Sequence, residues 1–241
     1  MNQLSFEFEA GPEWASRIAV FDTETTGLNL REARIVTACV VELDANGQPI
    51  GPALEWLADP EIEIPDVAAK VHGVTTAYAR AHGRPAREVV AEIVDALRGF
   101  LDAGIPVVAY NAPYDFTILG HEAIRHGLEP IAAPAPVLDP LVIDKFVDQY
   151  RKGKRRLENA AAEYGVTLSD AHNATADAIA AGRVMQAIAK RHAGKLAMPL
   201  NDLHELQKGW ADQQAESFAD YLRRNGKPEA KAELGWPIKP L

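Results

Sequence analysis

Apolar and β-branched residues fall into two early runs. Residues 17–23 (RIAVFDT) read as a buried strand that runs directly into a cluster of acids and threonines, and residues 34–43 (RIVTACVVEL) read as a second strand. After the turn Asp44-Ala45-Asn46-Gly47, residues 50–57 read as a third strand that completes a meander. The period then becomes helical. A short helix runs from Pro65 to Gly73 and another from Thr75 to His82, and Val89, Val90, Ile93, Val94, Leu97 and Leu101 mark a longer one over 86–102. Val107–Tyr110 reads as a short strand, 113–126 as a helix, and 135–138 as one more strand. Alanine-rich helices follow at 156–164 and 174–192. Strands followed by alternating helix and strand predict an α/β protein, a mixed sheet flanked by helices.

After Gly194 and Pro199 the pattern changes to a helical stretch carrying Leu203, Leu206, Trp210, Phe218, Tyr221 and Leu222, then a tail with Trp236-Pro237. This divides the chain into a domain over 1–193 and a helical C-terminal extension over 194–241. The extension's apolar residues are expected to pack back onto the domain; the competing reading docks a partner such as a polymerase subunit.

The 241 residues suffice for one ordinary α/β domain plus an extension. The single cysteine, Cys39, excludes an intramolecular disulfide and a Cys-type zinc site. No apolar run approaches the roughly 20 residues that span a bilayer. Met1–Glu9 lacks the basic start of a signal peptide, so a cytoplasmic protein without a membrane association is expected. The net charge of −9 argues against a protein that grips long duplexes, though not against one that handles a nucleic-acid end.

Three segments carry candidate chemistry. In Phe21-Asp22-Thr23-Glu24-Thr25-Thr26-Gly27-Leu28, strand alternation points Asp22 and Glu24 the same way. Paired carboxylates where a buried strand meets a loop repel each other unless a cation lies between them. In the second segment a strand ends at Tyr110, Pro113 opens a helix, and Asp115 falls in its first turn, where a mere capping acid would also sit. The third is His172-Asn173-Ala174-Thr175-Ala176-Asp177. Five helical residues turn about 500°, so His172 and Asp177 converge only if His172 precedes the helix, with Asn173 as its N-cap. Four carboxylates supply the all-oxygen ligation that suits two Mg²⁺ or Mn²⁺ ions, and such pairs suit displacement at phosphorus.

These segments resemble the DnaQ-like 3′→5′ exonucleases of the DEDDh group, which includes the proofreading epsilon subunit of bacterial DNA polymerase III. FDTETTGL at 21–28 is similar to the family's first motif, YNAPYDFTIL at 110–119 to its second, HNATADA at 172–178 to its third, and KVHGVT at 70–75 to a segment between the first two. Tyr110 departs from the histidine common in relatives of epsilon, and the likeness covers roughly 16–192. The resemblance implies an RNase H-like fold and two-metal hydrolysis that releases nucleoside 5′-monophosphates from the 3′ end of single-stranded DNA. Asp22, Glu24, Asp115 and Asp177 are expected to hold the metals, with His172 as general base.

Thr23, Thr25, Leu28, Asn111 and Phe116 are expected to bind the terminal nucleotide. The run Arg151–Arg156, five basic residues in six, offers Lys154 and Arg155 for phosphate contacts, although a solvated loop is its plainer reading. His72 is either a pocket residue or structural. RNA-trimming enzymes such as RNase T and oligoribonuclease share the resemblance, so RNA is an alternative substrate. A non-catalytic module that binds ends or a polymerase is a third reading.

Overall fold

The computed structural model describes residues 11–168 and 173–241. Six strands form one sheet: β1 Ile18–Thr25, β2 Ile35–Leu43, β3 Leu54–Asp59, β4 Arg84–Pro85, β5 Val107–Val108 and β6 Val137–Leu138. The helices are α1 Asp66–His72, α2 Thr76–His82, α3 Ala86–Asp102, α4 Ala112–Arg125, α5 Pro140–Val147, α6 Leu157–Tyr164, α7 Ala174–Arg191, α8 Ala193–Leu196 and α9 Leu200–Arg224. The sheet order is β4-β3-β2-β1-β5-β6. β1, β2 and β3 form the expected antiparallel meander, while β5 runs parallel to β1 and β6 parallel to β5. This is the mixed sheet with flanking helices, of RNase H-like type, that the sequence predicts.

Alternation along β1 builds two cores. Ile18 and Val20 face α6 and α7, whereas Ala19 and Phe21 face α3 and α4. The even positions continue to Asp22 and Glu24, so the apolar face towards α7 turns acidic at the strand's end. The third strand begins at Leu54, later than the alternation suggests, because Gly51 takes a positive φ of 75° and Pro52 has no amide to donate. Helix α5 was not anticipated, although Asp139-Pro140 is its signal: the Asp139 carboxylate accepts from the Leu141 amide, and the proline sits in the first turn.

The C-terminal extension packs back onto both cores. Leu196 and Leu203 join the layer with α6 and α7, and Trp236 joins the layer with α3 and α4. The last residues run along α4, where the Lys239 amide donates to the Thr117 hydroxyl and Leu241 lies over Gly120. Leu206, Phe218 and Tyr221 remain exposed. Among the described residues no helix is long and apolar enough to cross a membrane.

Gly182 lies where α7 crosses β1 and β2. A methyl there would stand 2.5 Å from Leu43 Cδ1 and 2.7 Å from Val20 Cγ2, both fully buried. Alanine raises helix propensity by about 1 kcal/mol, but overpacking costs about 1–3 kcal/mol. Gly182→Ala is therefore expected to lower the urea midpoint, and a rise would show that the layers can part.

Candidate active site

The pairing of β1 explains how its acids come together. On one side β1 is paired with β2 along its length, with Asp22 opposite Cys39 and Glu24 opposite Thr37. On the other side β5 reaches only Ala19 and Val20. Beyond β5 the Thr23 amide has no strand partner, and Asp115 takes its place: Oδ1 accepts from Thr23 N at 3.1 Å and from Thr23 Oγ1 at 2.7 Å. Asp115 is in the first turn of α4, as expected, and is buried. From the opposite layer, the first turn of α7 brings Asp177. Asn173 caps that helix, its side chain accepting from the amides of Thr175 and Ala176. His172 lies outside the described residues.

The four acids act on one another. Burial pushes the Asp22 carboxyl well above its ordinary pKa, and the charges of Asp115, Glu24 and Asp177 push it further. Burial, then Asp177 and Asp115, raise Glu24 to about 7. Burial raises Asp115 to about 7, against the lowering effect of the two Thr23 hydrogen bonds. Among the described residues no group of three or more His, Cys, Asp or Glu side chains stands close enough together to hold a metal ion. The donor set nevertheless fits hard divalent cations, because positive charge offsets both burial and mutual repulsion.

Comparison with known proteins agrees with this geometry. A family model described as an exonuclease, RNase_T, matches residues 19–185. The chain belongs to this exonuclease family. It is 28% identical over 192 residues to the PolC-type DNA polymerase III of Lacticaseibacillus paracasei, a match that covers 79% of this chain and 12% of that one. It is 31% identical over 159 residues to the DNA polymerase III subunit epsilon of Treponema pallidum, covering 66% and 69%. The chain thus spans about an eighth of the PolC-type relatives it matches. Among solved structures, E. coli exonuclease I in complex with a dA16 oligonucleotide superposes with a TM-score of 0.64 at 19% identity, covering 78% of this chain and 42% of that one. That likeness speaks for the fold.

Of the residues expected to bind substrate, Thr23 and Thr25 are buried beside the acids, and Leu28 projects into solvent at 85% exposure. Asn111 adopts a left-handed conformation, φ 67°, at the exposed entry to α4. Two expectations are corrected. Phe116 is 1% exposed and packs edge-on against Phe21, ring centroids 5.6 Å apart, so it is core and offers no face for stacking. Arg155 turns inward, where its guanidinium donates to the buried Asp144 carboxylate at 2.9 Å and to the carbonyls of Asp144, Asp148 and Arg151. With Arg151 and Tyr164 also on Asp144, two of the run's five basic residues clamp a buried acid, while Lys152, Lys154 and Arg156 stay exposed. Tyr110, between β5 and α4, ties to this loop, its hydroxyl donating to the Arg155 carbonyl at 2.7 Å.

The sequence reading missed two residues. The Tyr114 hydroxyl stands 2.6 Å from Thr25 Oγ1 and donates to the Gly27 carbonyl at 3.0 Å, tying the first acidic loop to α4. Its signal was its place beside Asp115. Asp139 is buried, and its carboxylate accepts from the amides of Asn111, Ala112 and Leu141 and from Trp236 Nε1. It fixes the start of α4, hence Asp115, and links both to the C-terminal extension. The expectation for His72 is partly answered: its Nδ1 accepts from the Val74 amide, and burial lowers its pKa.

Raised carboxylate pKa values mean that the folded state binds more protons than the unfolded chain between about pH 4 and 7. Stability without metal should therefore fall as pH rises through that window. Mg²⁺ or Mn²⁺ should raise Tm more at pH 8 than at pH 5, against EDTA controls, and equal shifts would mean that cations bind elsewhere. Trp236→Phe keeps a ring but removes the donor to Asp139. It should cost about 1.5–3 kcal/mol in urea unfolding.

Proposed function

We propose that this chain is a divalent-metal-dependent 3′→5′ exonuclease that removes nucleoside 5′-monophosphates from the 3′ end of single-stranded DNA. The observation that carries this reading is the convergence of Asp22, Glu24, Asp115 and Asp177 from β1, α4 and α7 on one end of the sheet. DNA is favoured over RNA because the relatives are DNA polymerase III proteins. The same relatives make a polymerase subunit the candidate protein partner.

In this mechanism the four acids hold two Mg²⁺ or Mn²⁺ ions. When bound, such a pair lowers the pKa of a water and stabilises charge that develops around phosphorus. Thr23 fixes the Asp115 carboxylate through two hydrogen bonds, so that ligand is oriented before substrate arrives. Tyr114 holds the loop of Thr25–Gly27, which leads to Leu28, and Leu28 and Asn111 flank the terminal nucleotide. His172, immediately before the Asn173 cap, accepts the proton from water. This role rests on its place in the third motif, and it requires a neutral imidazole.

The test is incubation of 5′-labelled single-stranded DNA with Mg²⁺, Mn²⁺ or EDTA. A ladder shortening from the 3′ end is expected with metal, and none with EDTA or with Asp22→Ala. His172→Ala should lose about 10²–10⁴-fold in turnover while keeping the metal-induced rise in Tm. Shortening of short RNA alone would assign the chain to RNA trimming, and inertness on both would leave an end-binding module.

A further inference from the structure

Two clefts join at Lys145. The first, of 360 Å³, lies between the loop after β1, the start of α4, and α5, α9 and the tail, and is lined by Leu28, Asn111 and Tyr114 among others. The second, of 510 Å³, lies across α5 and α9. Lys145, Gln214 and Phe218 line both, so the surface is continuous from the proposed position of the terminal nucleotide to the outer face of α9.

The second cleft has an unusual lining for this chain. The protein carries a net charge of −9, and α9 itself holds five acids. Yet no acid lines this cleft among the described residues; around Lys145 stand four aromatic rings, three glutamines and a serine. Phe146 lies flat on Trp210, with centroids 3.7 Å apart and planes 8° from parallel. Phe218 and Tyr221 stand near-parallel at 6.4 Å and 15°, and are 61% and 55% exposed. Trp210, Gln214, Ser217, Phe218 and Tyr221 recur at helical spacing, so they form one stripe about 16 Å long.

Lys145 makes no close ion pair among the described residues, although burial lowers its pKa and the charges of Asp139 and Asp144 raise it. Asp144 is taken by Arg151, Arg155 and Tyr164, and Asp139 by three amides and Trp236. At the rim of the first cleft, Glu233 lies 3.6 Å from Lys239.

From this surface we infer that the α5–α9 face is a second binding site for the substrate strand, on which bases upstream of the 3′ end stack against Phe218 and Tyr221 while Lys145 meets the backbone phosphate. Exposed aromatic rings with a cation in no close ion pair, interleaved with neutral donors, are what a single strand requires, since every base presents a π face whatever its sequence. Continuity with Leu28 and Asn111, the proposed flanks of the terminal nucleotide, favours the substrate's own strand over a separate protein. The inference rests on the exonuclease reading, and two substrates separate them. A p-nitrophenyl ester of thymidine 5′-monophosphate reports on the acidic site and is too short to reach α9. An oligothymidylate of roughly ten nucleotides reports on both.

Phe218→Ala/Tyr221→Ala should raise KM for the oligonucleotide about tenfold or more, with kcat on the ester retained. Lys145→Gln should flatten the salt dependence of oligonucleotide binding, read by fluorescence anisotropy in EDTA, by a slope of about 0.7. Both aromatic positions are largely exposed, so the fold tolerates their loss. Unchanged KM and unchanged anisotropy would overturn the proposal, and binding of a protein partner abolished by the same variants would reassign the face. An inert ester in the wild type would count against the exonuclease reading alone, because the EDTA anisotropy still decides whether this face holds a strand.

Discussion

Four carboxylates at one end of a sheet must be held against their own repulsion, and much of the surrounding structure does that work. Asp22 and Glu24 are carried there by the alternation of β1, whose preceding positions are locked in the core. Asp115 is held by the amide that β5 leaves unpaired. Asp177 arrives on the first turn of a helix whose cap is satisfied by Asn173. The raised pKa values of Asp22, Glu24 and Asp115 record their burial first and, for Asp22 and Glu24, the like charges nearby.

The extension beyond the matched residues is coupled to this arrangement. Trp236 donates to Asp139, and Gln207 accepts from the Asp139 amide. Asp139 in turn receives the first amides of α4, the helix that bears Asp115. Hydrogen bonds at Asp139 and at Asp115, joined through the first turn of α4, therefore link the tail to Thr23 on β1. The tail also covers α4 through Lys239 at Thr117 and Leu241 at Gly120, so the start and the middle of that helix are both held by residues distant in sequence. The same packing leaves one stripe of α9 uncovered beside α5, which is how buttress and proposed strand path arise from a single helix.

The charge distribution follows from burial. A run of five basic residues invites a phosphate, but Arg151 and Arg155 serve Asp144, because a buried carboxylate without partners is far more costly than a solvated guanidinium is valuable. Lys154 in that run stays exposed, and Lys145, in a mostly apolar stretch of sequence, lines the cleft across α5 and α9.

The sequence by itself determined the three-strand meander, most of the helices that follow and the candidate acids, since strand alternation and helix caps act over a few residues and are written locally. Asp22 and Glu24 on one face, Asp115 in a first turn and Asn173 as a cap were all legible in this way. Tertiary structure alone decided the rest. It put Phe116 in the core and Arg155 on Asp144, although the local pattern allowed both to face a ligand. It made Asp139 and Tyr114 supports of the site, because their partners lie up to 97 residues away in the chain. Which side of a helix faces solvent, and which charge is already neutralised, are set by neighbours that sequence spacing does not name.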